Sequence, residues 1–371
     1  MRKNILFFSS FGSLRWGGQK SLLLLVTGLA KQKAYRPYVL LPTDEDFAEE
    51  LRRQNIDVII HKLPEVNFFN PFPCLSSISF VLRLIDDYKI KLMHTDGPRN
   101  TFYAGLAAKM KHRPLVWHIR SSEKDRYDAL LVTLCTKIIL VANALRRRFT
   151  WTRNDEKFTI IHNGVDLSEF DNPVSLYPDI RPVYHVDRAA ILIGSFARIE
   201  PMKGQHPLIE ACAMLRNYFP FKLFLYGEIS DQDYYHACLK AIERLALQEN
   251  IVFGGHQKDV VLIMKNMDLV VLNSPFGEAF PRSVIEAMAA AKPVIVTNVG
   301  GAAEAVEEGV SGFVVTPGDR VMLADRMIRL GRDRELRRKF SEAARMRVET
   351  FFTAEQNARK TEHVYEELLG S

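Results

Sequence analysis

The chain has 371 residues, 47% hydrophobic and 25% charged, an ordinary soluble balance that excludes a collagen-like or disordered protein. At ~150 residues per domain this length predicts two domains, each able to build a core without staples. The net charge of +6 is unevenly held: residues 1–180 carry 26 Lys+Arg against 19 Asp+Glu, or +7, and residues 181–371 carry 24 against 25, or −1. A basic half is compatible with nucleic acid, an anionic membrane, phosphorylated ligands, or a plainly solvated surface.

Met1-Arg2-Lys3 has the look of a signal-peptide start. The apolar run behind it, Ile5 to Phe8, is far shorter than a ~7–15-residue h-region and is better read as a buried first strand. A glycine-containing loop with Gly17 and Gly18 follows, then helical character from Ser21 to Leu29. Further short apolar runs lie at Tyr38–Leu41, Val58–Ile60, Leu92–His94, Leu115–His118 and Ile138–Val141. They lack polar alternation and are separated by helical patterns, as expected of parallel strands covered on both faces. Residues 171–188 hold three prolines and little periodicity, a candidate linker. The alternation then restarts, with strands expected at Ile191–Phe196, Lys222–Tyr226, Ile251–Phe253, Leu269–Leu272 and Pro293–Thr297. Residues 320–350 read as charged helix. The fold class is α/β, doubly wound. We divide the chain into a domain at 1–175, a linker at 176–188, a second domain at 189–350 and a tail at 351–371.

No stretch approaches the ~18 apolar residues of a membrane span, so a cytoplasmic protein is expected, with peripheral attachment to the inner face of the membrane left open. Cys74, Cys135, Cys212 and Cys238 form no CxxC pair, which argues against a disulfide framework or zinc site. The chain lacks GxGxxG, GxxxxGK[ST], HExxH and GxSxG. The acidic strings Asp44-Glu45-Asp46 and Asp231-Gln232-Asp233 could hold a divalent metal, but such triplets are common on surfaces.

The densest signal is residues 273–291, NSPFGEAFPRSVIEAMAAA. A strand ends in a turn at Asn273-Ser274-Pro275, Glu278 sits in the following loop, and Ser283 lies at the start of a helix that contains Glu286. A helix start presents backbone N–H groups and a positive dipole end suited to phosphate, and a carboxylate can accept two neighbouring hydroxyls of a sugar or ribose. Taken singly, either glutamate could be a cap or a surface residue.

Jointly, Glu278 and Glu286 in E-x7-E, with the ending Glu286-Ala287-Met288-Ala289, resemble the retaining glycosyltransferases of family 4, which have the GT-B fold of two facing Rossmann-like domains. Where that family often has EGFP or EGFG, this chain has Glu278-Ala279-Phe280-Pro281. Gly194 to Gly204 (GSFARIEPMKG) resembles the family's strand and loop ending in R-x4-K-G, where Arg198 and Lys203 would clamp a diphosphate as planar fork and point charge. Similar family segments are Asn163-Gly164-Val165-Asp166 before the linker, Gly300-Gly301, and Glu308 to Val315. Gly17-Gly18 resembles the family's glycine-rich loop, and His118 a histidine carried near the reacting sugar. The tail resembles the helix with which the family returns to its first domain.

The resemblance implies transfer of a sugar from a nucleoside diphosphate sugar, a UDP-sugar before others, to an acceptor hydroxyl with retention, in lipopolysaccharide, capsule or another cell-surface glycan. Arg198, Lys203, Glu278 and His118 would be catalytic. Gly17, Gly18, Phe280, Arg282, Ser283 and Glu286 would bind the donor. No metal or other cofactor is required. Alternatives on the same fold are a sugar-nucleotide epimerase, a glycogen/starch-type glucosyltransferase, or a non-catalytic sugar-nucleotide-binding protein. The basic half would be the acceptor side. Arg146-Arg147-Arg148 with Phe149 and Trp151, and Lys109, Lys111 and Arg113, suggest docking on an anionic leaflet. No nucleic-acid module accompanies the charge, so nucleic acid is not an expected partner.

Overall fold

The structure, a computed structural model, describes residues 2–66, 72–172, 178–257 and 259–370. The chain forms two units, Met1–Gly164 with Ala354–Ser371, and Val165–Thr353. Part of the expected linker, residues 173–177, lies outside the described residues.

In the first unit the strands are β1 (Lys3–Phe8), β2 (Tyr35–Leu41), β3 (Asp57–Ile60), β4 (Leu92–Thr95), β5 (Leu115–Ile119), β6 (Lys137–Leu140) and β7 (Phe158–Ile160). They form one parallel sheet in the order β3-β2-β1-β4-β5-β6-β7. The second unit has β8 (Ile191–Phe196), β9 (Phe221–Tyr226), β10 (Ile251–Gly255), β11 (Leu269–Leu272), β12 (Val294–Thr297) and β13 (Gly312–Val315), parallel in the order β10-β9-β8-β11-β12-β13. These are the two Rossmann-like parallel-sheet units of a GT-B fold. Strands such as Ile5–Phe8 and Leu269–Leu272 are buried throughout, which is why no alternation marks them.

Two elements begin earlier than the sequence suggests. β2 starts at Tyr35 and runs through Pro37; β3 pairs with it only from Tyr38 onward, so the missing proline N–H faces no β3 partner. The first helix starts at Gly17, so Gly17 and Gly18 form its first turn rather than a loop before it. Its buried residues Leu22, Leu25, Val26 and Leu29 fall on one face. Against that face lies the last helix, Ala354–Leu369, through Ala358, Val364 and Tyr365. The two helices approach closely at Gly28, where a Cβ would come 2.9 Å from the Ala358 methyl.

The chain leaves and re-enters the first unit at neighbouring points. Val165 and Thr353 form a short parallel bridge inside the second unit, with the Val165 N–H donating to the Phe352 carbonyl at 2.9 Å. On the first unit's side, Asn357 Nδ2 donates to the His162 carbonyl at 2.7 Å.

The basic triplet is not three free cations. Arg148 is buried and paired with Asp128 through Nε (2.7 Å) and Nη2 (2.5 Å), Arg146 bonds the Phe149 and Thr152 carbonyls and Asp155, and Phe149 is buried. Only Arg147 and Trp151 of that cluster are exposed. In the second cluster Lys111 pairs with Asp86. Among the described residues no helix is long and apolar enough to cross a membrane.

A side chain at the helix crossing would force the first and last helices apart. Gly28→Val is therefore expected to destabilise the first unit by ~1–3 kcal/mol, read as a lower urea midpoint for that unit.

Candidate functional site

In each sheet the strand order reverses beside the first strand, and ligands of open parallel sheets bind beyond the carboxyl ends of the strands at that point. In the second unit this is the gap between β8 and β11. The turn after β8 carries Arg198, Glu200 and Lys203; the loop after β11 carries Asn273, Ser274, Glu278 and Phe280. Lys203 and Glu278, 75 positions apart, meet there: Nζ lies 2.6 Å from Oε1, with side chains 14% and 6% exposed. Ser274 Oγ donates to the same oxygen at 2.6 Å, while the Ser274 carbonyl accepts from Thr297 Oγ1 at 2.6 Å. Both bonds fall on Oε1, and Oε2 accepts none among the described residues. An ammonium has three donors, and Glu278 takes one of them.

Two glycines fix this loop from opposite sides. Gly204 has φ +68°, and a Cβ there would stand 2.0 Å from the Asn273 carbonyl oxygen; Asn273 Nδ2 in turn donates to the Gly204 carbonyl. Gly300 has φ +52°, and a Cβ there would stand 1.7 Å from the Glu278 carbonyl oxygen. The neighbouring Gly301 N–H donates to the Ala279 carbonyl at 2.9 Å. The approach that Gly300-Gly301 permits is thus to the glutamate's own loop.

The helix after this loop is Arg282–Ala289, with Pro281 at its cap and Ser283 in its first turn. Arg282 reaches along it to Glu286, its Nε and Nη2 at 3.1 and 2.8 Å from Oε1. Both side chains are nearly buried. Arg before Glu is the less favourable order for an i,i+4 pair, so burial rather than helix preference holds it. Phe280 is buried with its ring 5.3 Å from that of Phe352, an anchor for the loop. Arg198 is the most open member of the group, 36% exposed, with Nη2 2.8 Å from Glu200 Oε1; its carbonyl accepts from Gln205 Nε2.

In the first unit the switch point lies between β1 and β4. Ser10, after β1, donates through N–H and Oγ to Asp96, after β4, at 3.1 and 2.8 Å. Gln19 and Asn100 donate to the same carboxylate. Desolvation nevertheless raises the Asp96 pKa. His118, on β5, is fully buried; its Nδ1 lies 3.2 Å from His94 Nε2 and 3.2 Å from Arg120 Nη2. His94 Nδ1 lies 2.6 Å from the Tyr365 hydroxyl of the last helix. A Cβ on Gly18 would meet only Arg120 Cδ, at an ordinary 3.8 Å, so the protein's own packing does not require glycine there.

Sequence reasoning therefore singled out residues that the fold gathers into two groups: Lys203 with Glu278, and Arg282 with Glu286, beside Phe280 and Ser283 in the second unit; Gly18 and His118, with Arg120 between them, in the first. It missed Ser274, His94, Asp96 and Tyr365. His94 and His118 carried a usable signal, since each lies in the carboxyl-terminal part of a buried strand. The acidic strings have local tasks: Asp231 caps the helix Gln232–Arg244, Asp46 accepts from the Leu14 N–H, and Asp44 pairs with Arg52.

Residues 16–169 match the family described as Glycosyltransferase Family 4, and residues 178–347 the family described as Glycosyl transferases group 1. The capsular polysaccharide biosynthesis glycosyltransferase CapM of Staphylococcus aureus is 26% identical over 361 residues, 86% of this chain and 92% of CapM. A glycosyltransferase from Rickettsia africae ESF-5 has a similar structure at TM-score 0.88 and 24% identity, over 100% of this chain and 99% of that one. HepE of Anabaena, solved in complex with UDP and glucose, compares at TM-score 0.85 and 24% identity, over 99% and 100%.

Removing one partner of a buried ion pair strands the other charge. Lys203→Met is expected to destabilise the second unit by ~3 kcal/mol, and adding Glu278→Gln should recover most of that loss. Denaturant unfolding of the four proteins in this cycle checks it.

Proposed function

The chain belongs to glycosyltransferase family 4, the glycosyl transferases group 1, and has the GT-B fold; on that premise we propose that it moves a sugar from a nucleoside diphosphate sugar, a UDP-sugar before others, to an acceptor hydroxyl with retention at the anomeric carbon. The product would be a capsule, lipopolysaccharide or other cell-surface glycan. The first domain would take the acceptor and the second the nucleotide sugar. The observation that carries this reading is the Lys203–Glu278 pair at the β8/β11 switch point, with Arg198 on the same turn as Lys203. HepE's complex with UDP and glucose supports the choice of donor, and CapM's role in capsular polysaccharide synthesis supports the choice of product.

The chemistry follows from where charge grows. When the bond between the anomeric carbon and the diphosphate breaks, negative charge collects on the leaving oxygens. Arg198 and the remaining donors of Lys203 would meet that charge, aided by the positive end of the helix at Arg282-Ser283. Such preorganised donors need no reorganisation at the moment of reaction, and in this reading they do the work a metal ion does elsewhere. Glu278, held through Oε1, offers Oε2 to sugar hydroxyls. Glu286, aimed by Arg282, would take the ribose. Phe280 holds the loop in place, and Gly17 and Gly18 would contribute to donor binding. The attacking hydroxyl would pass its proton to the leaving phosphate on the same face, so no protein base is needed.

Peripheral attachment to an anionic leaflet is a further part of this reading, narrowed to the exposed Lys109, Arg113, Arg147 and Trp151. Flotation should show more protein on vesicles containing phosphatidylglycerol than on neutral ones; equal recovery would remove it.

The decisive test pairs binding with turnover. A UDP-sugar is expected to raise the melting temperature above GDP- and ADP-sugars, since a ligand at a hundred times its Kd stabilises by about 2.7 kcal/mol. Arg198→Ala and Glu278→Ala should each lower transfer by ~100-fold or more while far-UV circular dichroism is unchanged. Full activity in both would sink the assignment, and release of an epimerised sugar without acceptor would point to the epimerase.

A further inference from the structure

The histidine pair of the first unit forms a line whose proton positions follow from its ends. Arginine can donate hydrogen bonds but never accept them. Arg120 Nη2, 3.2 Å from His118 Nδ1, therefore requires that nitrogen to be an acceptor. Burial, the Arg120 cation and the neighbouring His94 hold His118 well below the ordinary histidine range, and burial with Arg120 does the same for His94, so both rings are neutral. A neutral His118 without a proton on Nδ1 carries it on Nε2. His94 Nε2 faces that same accepting Nδ1 at 3.2 Å and must donate, so its own proton is on Nε2. His94 Nδ1 then accepts from the Tyr365 hydroxyl at 2.6 Å, a phenol whose pKa burial pushes up.

The line thus runs from Tyr365 through His94 to His118, and one N–H is left at its end. His118 Nε2 is buried and has no hydrogen-bond partner among the described residues. A buried donor without a partner calls for an explanation, and a role toward a ligand is one such explanation. Arg120 stands beside this ring, with Gly18 against the Arg120 side chain, at the end of the sheet where ligands bind.

We infer that Arg120 sets the direction of this hydrogen-bond line and so fixes His118 as a donor through Nε2, with His94 and Tyr365 as positioning residues that hold its ring. What such a group recognises is a lone pair, a sugar hydroxyl or phosphate oxygen of the donor substrate, and it cannot serve as a base. The inference rests on the reading of His118 as a substrate-facing residue; the proton positions do not.

Protein labelled with [15N]histidine and free of substrate separates the two. Two-bond 1H–15N spectra, assigned with His118→Gln and His94→Gln, should show both rings as Nε2–H. Without Arg120 both ends of the line can donate or accept, so Arg120→Met should populate the Nδ1–H form of His94. Arg120→Lys, which keeps a cationic donor, should not. A wild-type His118 carrying its proton on Nδ1, or a His94 unmoved by Arg120→Met in a folded variant, would overturn the relay. In turnover assays His118→Leu should raise the KM for the UDP-sugar about tenfold, the weight of one hydrogen bond, and His118→Gln, which keeps an N–H, by threefold or less. Tyr365→Phe should raise KM about threefold in the wild-type background and not at all beside His118→Leu. Equal losses for Gln and Leu, or additivity with Tyr365→Phe, would overturn the donor role while leaving the glycosyltransferase reading to its own test.

Discussion

A carboxylate as buried as that of Glu278 is tolerable only while something neutralises it, and much of the second unit's switch point is arranged to meet that requirement. Lys203 supplies the charge and Ser274 a second hydrogen bond, both on one oxygen. Thr297, at the end of β12, steadies Ser274. Gly204 lets one loop close on the Asn273 carbonyl and Gly300 another on the Glu278 carbonyl, at distances no other residue would permit. Both positions have left-handed backbone that glycine adopts without steric strain, and both serve to hold one carboxyl group in one place. This is how a loop, ordinarily the least rigid part of a fold, carries a group whose position must be exact to a fraction of an ångström.

The first unit solves a parallel problem with neutral groups. Across its own switch point Ser10 meets Asp96, where the second unit has Lys203 meeting Glu278. Beside that lies a line of aromatic and imidazole groups, with Arg120 as its only formal charge. The two units share a topology and place polar pairs at corresponding points, yet one builds with ionic groups and the other with hydroxyls, amides and tautomers. Of the basic surplus of the first half, Arg120 joins this line, and Arg99 and Arg126 line a cavity with Ser10 and Asn100. Arg146 and Arg148, which gave the surplus its most conspicuous cluster, are committed to Asp155 and Asp128 and serve as structure.

How much of this could be read from sequence depended on distance along the chain. β8 and β11 were legible because runs of four to six consecutive buried, mostly apolar residues admit few alternatives. β13, which opens on Gly312, and β7, three half-buried residues before the Asn163-Gly164 turn, offered too little apolar run to be seen as strands. Pro37 hid the start of β2, and the low helix propensity of glycine hid the start of the first helix. At the site, Glu278 and Lys203 were identified separately as ligand contacts, but nothing local to either says that they bind each other. His94 could not be matched with Tyr365, 271 positions away, because that contact is made by the fold of the whole unit.

The pairing of Val165 with Thr353 makes the second unit a closed insertion within the first. Its sequence is continuous, whereas the first unit lacks one helix until residues 354–371 are added. On a ribosome, where domains fold as they emerge, the order of completion is therefore inverted: the half encoded second closes its core first. The half encoded first waits with Leu22, Leu25 and Leu29 uncovered. Until Tyr365 arrives, His94 has no phenol to hold it, so the line that ends at His118 is completed only after the whole second unit has been made. A chain cut short by even one helix would then carry an intact Lys203–Glu278 pair and an unfinished His118.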